Sequence, residues 1–151
     1  MKTARGRPYS RAAATVQKWA TKLHASLFRA TAGRVGGRIV GCPVLLLNTV
    51  GRKTGQRRTN PLLYLRDGDR YVIVASNGGT REHPAWLLNL KAHPEATVEV
   101  GGRQTRVRAE EASPEERVRL WPRLVDMYSS YEGYQRKTDR EIPVIVLRPV
   151  V

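Results

Sequence analysis

Residues 44–65 read Val44-Leu45-Leu46-Leu47-Asn48-Thr49-Val50-Gly51-Arg52-Lys53-Thr54-Gly55-Gln56-Arg57-Arg58-Thr59-Asn60-Pro61-Leu62-Leu63-Tyr64-Leu65. The first seven are aliphatic, β-branched or small polar and predict a strand, and Asn60 to Leu65 predict a second. Between them the segment Gly51 to Pro61 carries four cations and two glycines. A basic loop that joins strand to strand, rather than strand to helix, points to antiparallel architecture. It also excludes a P-loop, whose Gly-x-x-x-x-Gly-Lys-Ser/Thr spacing is absent.

Working outward, Asp67-Gly68 is a hairpin turn leading into Tyr71-Val72-Ile73-Val74-Ala75, so these strands are expected to form an antiparallel meander. Ile39-Val40 precede it after the glycines at 33, 36 and 37. Ser76-Asn77-Gly78-Gly79 stops the strand, and His83-Pro84 opens a short helix carrying Trp86, Leu87 and Leu90. Strands at 96–100 and 104–109 flank the Gly101-Gly102 turn. Ser113-Pro114-Glu115-Glu116 is a capping box with proline at the first helical position, followed by Val118, Trp121, Leu124, Val125 and Tyr128 as the expected apolar face. Residues 142–147 give a last strand. Short antiparallel strands with tight turns predict an α+β fold, a small barrel of about six to seven strands with helices outside it.

The chain has 151 residues, a length that suits one barrel domain over 38–151 preceded by a basic segment over 1–37. Residues 1–66 hold 14 Lys or Arg and no acid, so the whole net charge of +14 arises there. Residues 1–12 predict a disordered tail, and residues 15–30 an amphipathic helix, with Val16, Trp19, Ala20, Leu23, Leu27 and Phe28 at helical spacing. That helix either docks on its own domain or lies on an anionic membrane surface. A single cysteine, Cys42, leaves no intramolecular disulfide, and no cluster of histidine, cysteine and acid suggests a metal. The longest apolar run is far short of a membrane span. A cytoplasmic protein, peripherally associated with the membrane if the helix binds lipid, is the expectation.

Three constellations carry chemistry. In the basic loop, glycines let backbone N–H groups approach an oxyanion, Thr54 offers a hydroxyl, and Arg and Lys supply charge-assisted contacts. A solvated basic hairpin fits the same composition. Ala75-Ser76-Asn77-Gly78-Gly79, with Pro84, Trp86 and Asn89, opens a strand end onto small residues that leave room for a flat ligand, or forms an ordinary turn over a core tryptophan. Tyr128, Tyr131 and Tyr134 recur every third residue and share a face if the capped helix continues. Such phenols donate hydrogen bonds to an oxygen that gains negative charge, or simply pack half-buried. No Ser-His-Asp arrangement or carboxylate pair supports hydrolysis.

Taken together, Pro43 to Leu47, Gly51-Arg52-Lys53-Thr54-Gly55-Gln56, Arg58, Asn60-Pro61-Leu62, Ala75-Ser76, Gly78-Gly79, Pro84, Trp86, Leu88 to Pro94, Trp121-Pro122, Met127-Tyr128, Tyr131, Tyr134-Gln135 and Ile142-Pro143 resemble the deazaflavin-dependent nitroreductase family. These are the F420-dependent quinone and nitro reductases of actinobacteria. The resemblance implies a split β-barrel of the FMN-binding, Greek-key type. It implies coenzyme F420 as the cofactor, with Arg52, Lys53, Thr54, Gly55, Gln56, Arg58 and Asn60 around its phosphate and oligoglutamate tail. Ala75, Ser76, Asn77, Ala85, Trp86 and Asn89 would border the deazaflavin. Hydride would pass from the reduced cofactor to a quinone, nitroaromatic or other electron-poor acceptor, with Ser76, Tyr128, Tyr131 and Tyr134 as catalytic or substrate-side residues. The sequence departs from the family at Asn77, where relatives often carry lysine, and at Leu63, where an aromatic residue is common. Related split barrels bind FMN or a tetrapyrrole, which is the alternative reading. Binding to nucleic acid through charge alone is a weaker one, since no recognition helix or base-stacking motif is present.

Overall fold

The computed structural model describes residues 38–39 and 41–150, so the expected helix at 15–30 lies outside the described residues. The strands are β1 (Arg38–Ile39), β2 (Cys42–Val50), β3 (Arg57–Leu63), β4 (Leu65–Asp67), β5 (Arg70–Val74), β6 (Glu95–Val100), β7 (Arg103–Glu111) and β8 (Val144–Pro149). The helices are α1 (Ala85–Ala92), α2 (Pro114–Met127) and α3 (Ser130–Lys137), with a 3-10 turn at Asn77–Gly79.

The sheet runs β1-β2-β6-β7-β8-β5-β4, and β3 pairs with the other side of β2. Only Tyr64 separates β3 from β4, so one bent strand pairs first with β2 (Leu45 opposite Leu62) and then with β5 (Leu65 opposite Val72). That bent strand closes the ring. The expected meander holds for β2 to β5, whose successive strands pair antiparallel, and β6 beside β2 and β8 beside β5 complete the sheet. All of these ladders are antiparallel.

Alternation along the strands separates two cores, because successive side chains point to opposite faces. Leu45, Leu47, Tyr71, Ile73, Val107, Ile145 and Leu147 fill the interior with Trp86, Leu87 and Leu90 from α1. Val72, Val74, Val144 and Val146 face outward, covered by Leu120 and Leu124 of α2 and Tyr131 of α3.

Helix α2 begins at the expected capping box: the Ser113 side chain accepts from the Glu116 N–H at 3.2 Å, and Glu116 Oε1 accepts from the Ser113 N–H at 3.3 Å. Its buried stripe differs from the expected one, since Val118 is 76% exposed and Leu120 is fully buried. Leu124 is buried and Trp121, Val125 and Tyr128 pack half-buried against the outer core as expected, so the face exchanges Val118 for Leu120 and otherwise stands. A carboxylate fixes this helix to the hairpin of β4 and β5. Asp67 accepts from Arg119 and Arg123 at 3.0 Å and also from Arg70. The Arg119 hydrogen bond is foremost in holding the Asp67 carboxyl far below the usual carboxylate range.

Candidate active site

The basic segment is shorter as a loop than its sequence suggests, because β3 starts at Arg57 opposite Val50. Arg57, Arg58 and Asn60 therefore ride on a strand. Residues 51–56 close on themselves: the Gly51 N–H donates to Gln56 O at 2.7 Å and the Gly55 N–H to Gly51 O at 2.8 Å. Thr54 Oγ1 accepts from the Gln56 N–H at 3.2 Å. Gly51 sits in tight space, since a Cβ there would lie 3.0 Å from Thr54 Oγ1 and 3.1 Å from Gln56 O, and Gly55 takes a φ of 71° that favours glycine. The backbone donors of Gly51, Gly55 and Gln56 are thus consumed within the turn, and the charge available to a ligand comes from side chains.

Those side chains are exposed at Arg52, Lys53, Arg57 and Arg58. Arg57 lies 3.7 Å from Glu99. The turn is held from below by Asn89 of α1, itself only 5% exposed. Asn89 Oδ1 accepts from the Arg52 N–H at 3.1 Å, and Asn89 Nδ2 donates to Thr49 Oγ1 at 3.2 Å. Asn89 is therefore a support of the basic turn.

A cavity of about 230 Å³ opens beside the outer core, walled by Pro61, Leu62 and Leu63 of β3, Val74 of β5, Ser76, Gly78 and the three tyrosines. It is smaller than the roughly 300–1,000 Å³ that usually encloses a whole ligand, so its size suits part of one. A second cavity of about 190 Å³ lies between α1 and the β7–β8 edge, lined by Lys91, Glu110 and Glu111 among others, and includes none of the expected site residues.

The three tyrosines converge without a continuous helix. Helix α2 ends at Met127, Tyr128 is its C-cap, and α3 starts at Ser130. The rings nevertheless meet edge to face, with centroids 4.9 Å apart for Tyr128 and Tyr131, 6.2 Å for Tyr128 and Tyr134, and 6.4 Å for Tyr131 and Tyr134. The Tyr128 and Tyr134 hydroxyls are 3.0 Å apart. That hydrogen bond, followed by burial, pushes the Tyr134 pKa up to about 12. Tyr131 is 5% exposed, and burial raises its pKa further still.

Helix α3 approaches the strand corner closely because residue 79 has no side chain. A Cβ on Gly79 would lie 2.7 Å from Tyr134 O and 2.9 Å from Tyr134 Cα, and its φ is 77°. Asn77 adopts a φ of 47°, and its Nδ2 donates to Glu82 O at 3.1 Å, so this side chain stabilises the corner.

Of the expected site residues, Ser76 and the three tyrosines share the cavity, and Arg52 and Asn89 share the turn. Trp86 and Ala75 belong to the interior core and do not line the cavity, while Ala85 is exposed at the start of α1. Nothing in the sequence marks Thr49, Val74 or Arg140 as neighbours of these sites. No linear spacing marks them, because their partners lie 40 or more residues away for Thr49 and Arg140, and Val74 reads as ordinary strand.

A ring closed by one bent strand, with exposed cations on the hairpin and phenols on the wall of a neighbouring cavity, is a split β-barrel. Residues 19–149 match the F420H(2)-dependent quinone reductase family, and the chain belongs to it. Its sequence is 45% identical over 130 residues to an F420H(2)-dependent quinone reductase of Mycobacterium tuberculosis (strain ATCC 25618 / H37Rv), covering 83% of this chain and 87% of that protein. Its structure is similar to the F420-H2 dependent reductase FDR-A, with TM-score 0.65, 39% identity and coverage of 70% of this chain and 94% of that one. A domain-swapped dimer is similar too, with TM-score 0.68, 34% identity and coverage of 86% and 97%. The family's reductant is reduced coenzyme F420, and the protein is accordingly an oxidoreductase.

Proposed function

We propose that the tyrosine-lined cavity takes the ring of a quinone or a similarly electron-poor acceptor, while the basic hairpin holds the phosphate and glutamate tail of reduced F420. The observation that carries this reading is the paired Tyr128 and Tyr134 hydroxyls beside a cavity that also includes Ser76. Strand β3 links the two regions, since Arg58 and Pro61 are three residues, about 10 Å, apart on it. When bound, reduced F420 supplies a hydride and the protein supplies orientation and electrostatics.

Arg52, Lys53, Arg57 and Arg58 attract and hold the anionic tail, with guanidinium forks suited to carboxylate and phosphate. In the hydroxyl pair one phenol donates to the other, and the second O–H is left to meet an acceptor oxygen. A raised pKa preserves the protonated form as pH rises, so the Tyr134 O–H persists across the neutral and mildly alkaline range until pH nears 12. A donor aimed at an oxygen that becomes negative stabilises the transition state more than the ground state. Leu63 gives the wall an aliphatic surface, which affects the choice of acceptor. The basic stretch over 15–30 supports a second element of the proposal, contact with an anionic membrane in which quinones dissolve.

The test is F420H2 oxidation with menaquinone, nitroaromatics and enones as acceptors, using Tyr128→Phe and Tyr134→Phe. Each variant is expected to lose about tenfold or more in kcat/KM, roughly 1.4 kcal/mol of barrier, with F420 affinity retained. Unchanged acceptor kinetics in both would sink the assignment of the cavity. Co-sedimentation of the full chain with anionic vesicles, absent with neutral ones, tests the membrane element.

A further inference from the structure

We infer that Arg140 is a positioning residue for the acceptor cavity, its guanidinium holding the backbone corner that carries Ser76 and Gly78 in register with the tyrosine helix. The inference rests on the assignment of the cavity to the acceptor made above.

Arg140 lies in the link between α3 and β8, far from the corner in sequence, and reaches it with all three guanidinium nitrogens. Nε donates to Thr80 O at 2.9 Å, one terminal nitrogen to Ala75 O at 3.2 Å, and the other to Ser76 O at 2.7 Å. His83 Nδ1 lies 3.3 Å from the nitrogen that contacts Ala75 O. Arg140 keeps its charge, so it must be the donor there, and the imidazole accepts through Nδ1 with its proton on Nε2. Burial, followed by the charges of Arg140 and Lys91, holds the His83 pKa below its ordinary value and so favours this neutral form.

The same link is tied to the tyrosine helix. Gln135, one residue after Tyr134, donates from Nε2 to Arg140 O at 2.8 Å and accepts from the Ile142 N–H through Oε1 at 2.9 Å. Arg140 therefore bridges two walls of one cavity: its main chain is fixed to α3, and its side chain grips 75–80. This grip acts where the backbone is otherwise awkward, since Asn77, Gly78 and Gly79 all have positive φ, at 47°, 66° and 77°. Three carbonyls fanned around one planar fork match the donor geometry of arginine, and the point charge of lysine cannot reproduce it.

A positioning role separates from generic stability by what changes. In Arg140→Ala, the acceptor KM is expected to rise about tenfold, while the Kd for F420 changes less than threefold, because the basic hairpin is untouched. Millimolar guanidinium ion is expected to restore part of the loss by filling the vacated space. Arg140→Lys is measured alongside and is expected to show a smaller rise of the same kind; it serves as the reading if the alanine variant does not fold. The inference is overturned if acceptor KM is unchanged in the variant that folds. It is also overturned if acceptor KM and cofactor Kd worsen together, in proportion to lost thermal stability. Tyr128→Phe and Tyr134→Phe, run in parallel, distinguish this from failure of the cavity assignment: altered kinetics there with unaltered kinetics in Arg140 variants condemns only the role of Arg140.

Discussion

The basic hairpin and the tyrosine cavity are built on opposite principles. The hairpin is a backbone-locked turn with its cations exposed, so the charges contribute little to the packing that holds it. The cavity is made of side chains that also belong to the outer core, with Tyr131 and Val74 buried at 5% and 7% exposure. Surface chemistry and folding are separable in the first and entangled in the second.

The largest expected effect breaks the hairpin without breaking the protein. Charge-assisted hydrogen bonds contribute roughly 1.5–3 kcal/mol each, so the triple variant Arg52→Ala, Lys53→Ala, Arg58→Ala is expected to lose at least about a hundredfold in F420 affinity. Fluorescence titration at low and high salt checks it, since wild-type binding should weaken with salt far more than the residual binding of the variant. Thermal unfolding should stay close to wild type.

Gly79→Ala is the converse. It places a methyl group 2.7 Å from Tyr134 O at a φ of 77°, and overpacking together with that conformation costs roughly 2–4 kcal/mol. A clear fall in melting temperature is expected, with acceptor turnover lost before F420 affinity. Equal loss of both would show that the two regions are less independent than their construction implies.

Asn89→Ala gives the smallest effect and the sharpest test, because this buried side chain supports the exposed turn. Removing its carboxamide leaves the Arg52 N–H and Thr49 Oγ1 without a partner they now have, a cost of about 1–3 kcal/mol in stability. F420 affinity is expected to fall about fivefold, measured by the same titration, with acceptor KM unchanged.

The same contrast explains what could be read in the sequence. Arg52, Lys53, Arg57 and Arg58 lie within seven consecutive residues with no acid nearby in the chain, so the exposed basic cluster was legible as local chemistry. The strands, the Gly101-Gly102 turn and the Ser113 capping box were legible for the same reason. Ring closure was not, because a bend at Tyr64 that changes pairing partners has no periodic signature. In α2 the expected Trp121, Leu124, Val125 and Tyr128 do face the outer core, and only the exchange of Val118 for Leu120 awaited the sheet. The tyrosines met as expected, but across a helix break at Tyr128 and Ser129. Arg140 was invisible because its value lies in carbonyls that folding brings to it.

The bent strand that closes the ring also acts as a ruler. Leu62 packs toward the interior and Leu63 toward the outer core, so adding or deleting one residue between Arg58 and Leu62 would exchange those faces and disturb both cores. The spacing between the basic hairpin and the cavity wall is thereby counted in residues. Evolution can alter the lettering at either end of the ruler, but its length is fixed by the fold.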